Sequence, residues 1–219
     1  MYRKYAEEDV DELLAHYEHD LCDAAEKADP ETLTRIAQAL YLMKSGEYEN
    51  IWWRIEDRAQ NLAAENKLDG YHVTNLLRAF SHSQHNRQSG SDKTFALLEA
   101  TVLRELSNLS DRDATHLMYA YGVRGLGSPE LHKAFGQRLI DCGRKLDYPA
   151  AFNAVYYMLF REETNEAVWS QLINNVVDRE ETLPLIYYRP FKASKLFIEH
   201  HYPDWDLSDY ADKFWHAER

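Results

Sequence analysis

An eight-residue pattern recurs four times along the chain at nearly constant spacing. The segments are "LTRIAQAL" (33–40), "VTNLLRAF" (73–80), "ATHLMYAY" (114–121) and "AFNAVYYM" (151–158), with offsets of 40, 41 and 37 residues. In each, small or apolar residues fall at i, i+3, i+4 and i+7: Leu33, Ile36, Ala37, Leu40; Val73, Leu76, Leu77, Phe80; Ala114, Leu117, Met118, Tyr121; Ala151, Ala154, Val155, Met158. That spacing draws one stripe along a 3.6-residue helix. A second apolar helix follows each one. Ile51, Ile55, Ala59 and Leu62 mark the first, and Phe95, Leu98, Val102 and Leu106 the second. Leu131, Phe135, Leu139 and Cys142 mark the third, and Trp169, Ile173 and Val176 the fourth. Asp29, Asp69, Ser110 and Asp147 stand where each unit's first helix needs an N-cap. A helical hairpin cannot bury its stripe alone, so units repeating at this period stack on one another.

The expected fold is therefore all-α: a right-handed α-solenoid of about four helical hairpins (29–68, 69–109, 110–146 and 147–183). A capping helix over 1–28 and a C-terminal capping and anchoring segment over 184–219 flank them, giving about nine to eleven helices in all. Val10, Leu13, Leu14, Tyr17 and Leu21 supply the stripe of the N-terminal helix. The pattern breaks after Pro184, and Pro190 is expected to start a differently angled helix. Low glycine and proline counts, 8 and 6, agree with helix. The polar stretch "HSQHNRQSGSD" (82–92) reads as a loop.

"GVRGLG" (122–127) is the one stretch that invites a phosphate-binding reading. Its order is G-x-x-G-x-G, it follows a helix rather than a strand, and no P-loop lysine comes after it. "SPE" (128–130) then supplies a cap, a first-turn proline and an acid for the next helix. The spacing predicts a turn between helices. Ten histidines raise a metal reading. His16, His19 and Cys22 fan around a helix instead of converging, His82 and His85 lack two further ligands, and "EHH" (199–201) fits no zinc motif. No nucleophile with a neighbouring base stands out. Neither catalysis, metal nor cofactor is expected.

The formal charge is −12, and the first 29 residues hold ten acids and three bases, a net of −7. Such a surface repels phosphate backbones and suits a basic protein partner. The two cysteines are far apart in helical segments, which argues against a disulfide framework. "MYRKYAEEDVDELL" has neither the apolar core of a secretory signal nor the acid-poor look of a transit peptide. No run is long enough for a membrane span. Just outside the apolar stripes two rows repeat in register: Arg35, Asn75, His116, Asn153, and three residues on Gln38, Arg78, Tyr119, Tyr156. Stacked repeats align such rows on one surface, and these residue types serve protein interfaces and single-stranded bases alike. The tail "YPDWDLSDYADKFWHAER" is dense in aromatics, and Trp205 or Trp215 is expected to anchor a contact with another subunit.

"LLRAF" and "LMYAYGVRGLGSPELHKAFGQRL" resemble the helical-hairpin repeats, roughly 37 to 40 residues long, of octotricopeptide and heptatricopeptide proteins, the FAST-kinase-like group among them. The likeness is densest over 114–140 and extends over roughly residues 29–183. Pentatricopeptide repeats, of about 35 residues, are a near alternative. The resemblance implies a mitochondrial protein, acting either on organellar RNA or as a structural subunit of a mitoribosome, respiratory complex or ATP synthase. The chain departs from the RNA-acting members in having about four units, an acidic balance, and no RAP-like domain in "FKASKLFIEHHYPDWDLSDYADKFWHAER". The expected partners are accordingly protein subunits of a large complex, with RNA binding as the alternative disfavoured by charge.

Overall fold

The computed structural model describes residues 2–43, 48–82, 90–179 and 183–213; the side chains of 2–11 and of 82 lie outside that description. Among the described residues there are eleven α-helices and no strand. They are α1 (Tyr2–Lys27), α2 (Pro30–Leu42), α3 (Glu49–Ala64), α4 (Gly70–His82), α5 (Asp92–Glu105), α6 (Asp111–Arg124), α7 (Pro129–Cys142), α8 (Tyr148–Phe160), α9 (Glu166–Val177), α10 (Tyr188–His201) and α11 (Ser208–Asp212). Short 3-10 turns occur at Gly143–Lys145 and Leu185–Tyr187. The protein is all-helical.

The first helix of each expected hairpin starts where a side-chain acceptor satisfies a free amide. Asp29 accepts from the Thr32 amide at 2.7 Å, Asp69 from His72 at 3.0 Å, Ser110 from Asp113 at 3.1 Å and Asp147 from Ala150 at 2.8 Å. The Thr32 amide also holds the Asp29 carboxyl below the usual carboxylate range. At "GVRGLG", Gly125 takes a left-handed conformation (φ 65°), its amide bonds the Gly122 carbonyl and the Leu126 amide bonds that of Tyr121. This is a glycine-capped helix end. Ser128 then caps α7 through the Leu131 amide at 3.1 Å. The stretch is the turn its sequence predicts.

Helix contacts divide the chain into two units, Met1–Asn108 and Leu109–Arg219. In the first, α3 packs against α1, α2 and α5, and α4 against α2 and α5. In the second, α8 packs against α6, α9 and α10, and α9 against α7 and α11. Fifteen of the sixteen first-helix stripe residues are buried, from Leu33 to Met158, with Ile36 half-buried. Ile55, Phe95, Phe135 and Trp169 are buried on the second helices. Each large apolar side chain so removed from water contributes on the order of 1.5–3 kcal/mol, which is what holds short helices together.

A second device recurs beneath the apolar one. The residue before the N-caps of α2, α4, α6 and α8 turns its carbonyl to an arginine on the helix that follows or, for α8, just past the end of α9: Arg58 Nε donates to Ala28 (2.8 Å), Arg104 Nη2 to Leu68 (3.3 Å), Arg138 Nη2 to Leu109 (3.1 Å) and Arg179 Nη2 to Leu146. The guanidinium satisfies a carbonyl that no helix can use, and it ties each helix to the start of the one before it.

The C-terminal stretch departs from expectation in detail. α10 begins at Tyr188 and takes Pro190, buried, into its first turn, where the missing amide hydrogen has no helical partner to lose. After the 3-10 turn behind Pro184, α10 packs on α8 and α11 on α9, so this stretch adds to the packing of its unit.

Candidate functional site

The polar rows outside the stripes meet across neighbouring helices in each unit. In the first unit, Gln38 Nε2 donates to Asn75 Oδ1 at 2.6 Å, and Asn75 Nδ2 donates to the Tyr71 carbonyl at 2.9 Å. The Arg78 guanidinium lies 5.5 Å from the centre of the Tyr41 ring. Arg35 bonds Glu31 on its own helix at 2.8 Å. The sequence alignment sets Arg35 beside Asn75 and Gln38 beside Arg78; the structure instead offsets α2 by one turn. The reason is geometric: a stripe at i, i+3, i+4, i+7 nearly superimposes on itself when shifted by three or four residues, so its period does not set the register between helices.

In the second unit the aligned pairs do meet. His116 Nδ1 is 3.0 Å from Asn153 Nδ2, and Tyr119 and Tyr156 pack edge to face with centroids 5.9 Å apart. More joins them than the rows foretell. Phe160 stacks on Tyr156 at 5.4 Å, Phe152 meets Tyr156 at right angles at 4.8 Å, and Tyr187 reaches Phe152 at 5.4 Å. Phe152, Tyr156 and Phe160 follow an i, i+4, i+8 line along one face of α8, a signal readable in the sequence but hidden there among the apolar residues of the helix. Phe160 remains 46% exposed and Val123 of α6 37%. The result is an aromatic surface on α6 and α8 with apolar area open to solvent.

Trp205 is half-buried, stacked on Tyr202 at 4.7 Å, and lines a cleft of about 270 Å³ with Ser170, Ile173 and Asn174. Tyr210 is buried with its hydroxyl 2.8 Å from Ser194 Oγ, so part of the aromatic tail serves its own unit. Trp215 lies outside the described residues. His16 and His19 are exposed on α1, and His85 is outside the described residues. Among the described residues no three His, Cys, Asp or Glu side chains are arranged to hold a metal. Burial first, and Asp111 second, push the Cys142 thiol up to about 11, away from the range of a nucleophilic thiolate. Among the described residues no helix is long and apolar enough to cross a membrane.

The chain matches no protein-family model and no curated protein sequence. What the aromatic surface of α6 and α8 offers a ligand is contact area.

Proposed function

We propose that this chain is a non-catalytic helical-repeat scaffold of the α-solenoid class, a structural or accessory subunit that holds other proteins within a large mitochondrial assembly such as an ATP synthase, a respiratory complex or a mitoribosome. The observation that carries the docking reading is the aromatic surface of α6 and α8. Aromatic side chains supply large contact areas with few rotors to freeze, and they are the residues on which protein interfaces concentrate their energy. The four arginine-to-carbonyl ties support the repeat reading independently of the apolar pattern. The mitochondrial assembly rests on the resemblance of residues 29–183 to octotricopeptide-type repeats.

Charge and engagement of side chains favour protein over RNA. The chain carries −12 overall. Arg78 lies over the Tyr41 ring, and Arg35, on the surface, has the Glu31 carboxylate beside it, which lowers the local positive charge a phosphate would meet. Tyr156 is stacked on Phe160, which takes up a ring face that a base would need. The test uses the tagged full chain and its Phe160→Asp variant in parallel purifications at about 0.3 M salt, a concentration that suppresses phosphate contacts. The expected result is a set of protein subunits retained by the parent and depleted about tenfold or more by the variant, which removes an anchor of roughly 1.4 kcal/mol or more. Equal recovery by both, or tight binding of a single-stranded RNA that falls steeply with salt, overturns the proposal.

A further inference from the structure

The N-terminal helix α1, which packs mainly on α3 and touches α2, carries a further apolar pair outside the stripe that faces α3. Leu14 and Ala25 are buried, with Leu21 and Cys22 half-buried, on the side facing α3. Cross-links fix that side: Glu18 accepts from Asn50 at 3.0 Å and Glu26 pairs with Arg54 at 3.3 Å. Leu13 and Tyr17, four residues apart and therefore one above the other, lie round the helix from Leu14 and are 56% and 46% exposed. Together with Glu12 and His16 they border an open hollow of about 360 Å³. The sequence assigns Leu13, Leu14, Tyr17 and Leu21 to a single core stripe; the structure splits that stripe and leaves half of it in water. In the same unit α3 has a neighbour on either side, α1 and α5, whereas α1 is the last helix of its row.

We propose that this outer face of α1 is a docking site for a basic amphipathic helix of a partner protein. A helix is the shape that the end of a helical row accepts, since the exposed pair at i and i+4 presents the same kind of ridge that α1 itself lays against α3. The charge of the partner follows from α1, which holds nine acids and three bases over Tyr2–Lys27. Asp20 lies exposed on the same side as Leu13 and Tyr17, and Glu12 borders the hollow. A second copy of this chain would bring the same acidic helix against it, and like charges juxtaposed across an interface cost several kcal/mol. A helix with lysine and arginine around an apolar stripe meets both features at once, with the cations steering the approach and Leu13 and Tyr17 supplying the desolvated contact.

This inference rests on reading the chain as a protein-docking module but concerns a different surface from the aromatic one, so the two are separable. The probe is a fluorescein-labelled synthetic peptide of about 20 residues with leucines at i, i+3, i+4 and i+7 and lysine or arginine elsewhere, titrated with the full chain by anisotropy. A peptide of identical composition, scrambled to have no apolar face, is the comparator. The amphipathic peptide is expected to bind about tenfold tighter than the scrambled one, and Leu13→Ser/Tyr17→Ser, which changes no charge, to weaken it by about tenfold, the effect of losing an interface anchor. Both positions are exposed, so the double variant keeps the helix content and melting temperature of the parent. Phe160→Asp should bind the peptide as the parent does, whatever its fate in co-purification. Equal affinity for the two peptides, or an undiminished affinity of the double variant, overturns the proposal. So does self-association of the chain that the double variant abolishes, since the occupant would then be a second copy.

Discussion

A carboxylate taken out of water must be met by donors, and Glu56 of α3 is 6% exposed with four of them at the start of α5 and a fifth, Gln60 Nε2 at 3.4 Å, on its own helix. It accepts from the Gly90 amide at 3.2 Å, the Ser91 amide at 2.8 Å, the Ser91 hydroxyl and the Thr94 hydroxyl at 2.5 Å. These groups form the start of α5, so Glu56 satisfies free amides and faces the positive end of the helix. Nothing in the sequence marks this role: Glu56 sits among acids of the kind that line solvated helix faces, and the amides that claim it come from more than 30 residues away. Glu56→Gln keeps the size but turns an amide donor toward donors. Urea unfolding is expected to show a loss of about 2–3 kcal/mol, the cost of leaving buried hydrogen-bonding groups unmatched. A change below about 0.5 kcal/mol, typical of surface positions, would show that water reaches this site.

At the scale of elements, the helices were largely legible because each level of sequence signal agreed with the next. Leu33 to Leu40 and the three later octets gave the buried faces, and Asp29, Asp69, Ser110 and Asp147 gave the starts. What could not be read was how helices lie on their neighbours. The one-turn offset between α2 and α4, the exposed half of the α1 stripe and the arginine ties all depend on contacts between residues about 30 or more positions apart. Close approach of α6 and α8 offers a test with opposite signs. A Cβ at Gly122 would meet the Tyr157 backbone at 3.2 Å, whereas one at Gly136 of α7 would meet nothing within 4 Å. Gly136→Ala should stabilise the protein by about 0.5–1 kcal/mol through helix propensity alone. Gly122→Ala has the same propensity gain set against an overpacking cost of about 1–3 kcal/mol, and should come out destabilising by about 1 kcal/mol. Thermal unfolding of the two variants side by side checks the pair, and stabilisation by both would mean that α6 and α8 are not pressed together at Gly122.

For the whole molecule, the proposed scaffold role rests on two kinds of exposed apolar surface, one in each unit. The aromatic rings of α6 and α8 and the outer apolar pair of acidic α1 both expose apolar area that isolated chains gain by covering. Half of the first was legible, since Tyr119 and Tyr156 stood in the expected row and Phe152 and Phe160 did not; the second was legible as helix but not as surface. The most direct measurement is sedimentation of the protein from gently lysed cells through a sucrose gradient at about 0.3 M salt, with and without ribonuclease, since salt and nuclease together separate protein contacts from phosphate contacts. The chain should travel with a large assembly, together with the same protein subunits whether or not nuclease is added. Migration as a free chain, or an assembly that collapses when RNA is digested, would contradict the account.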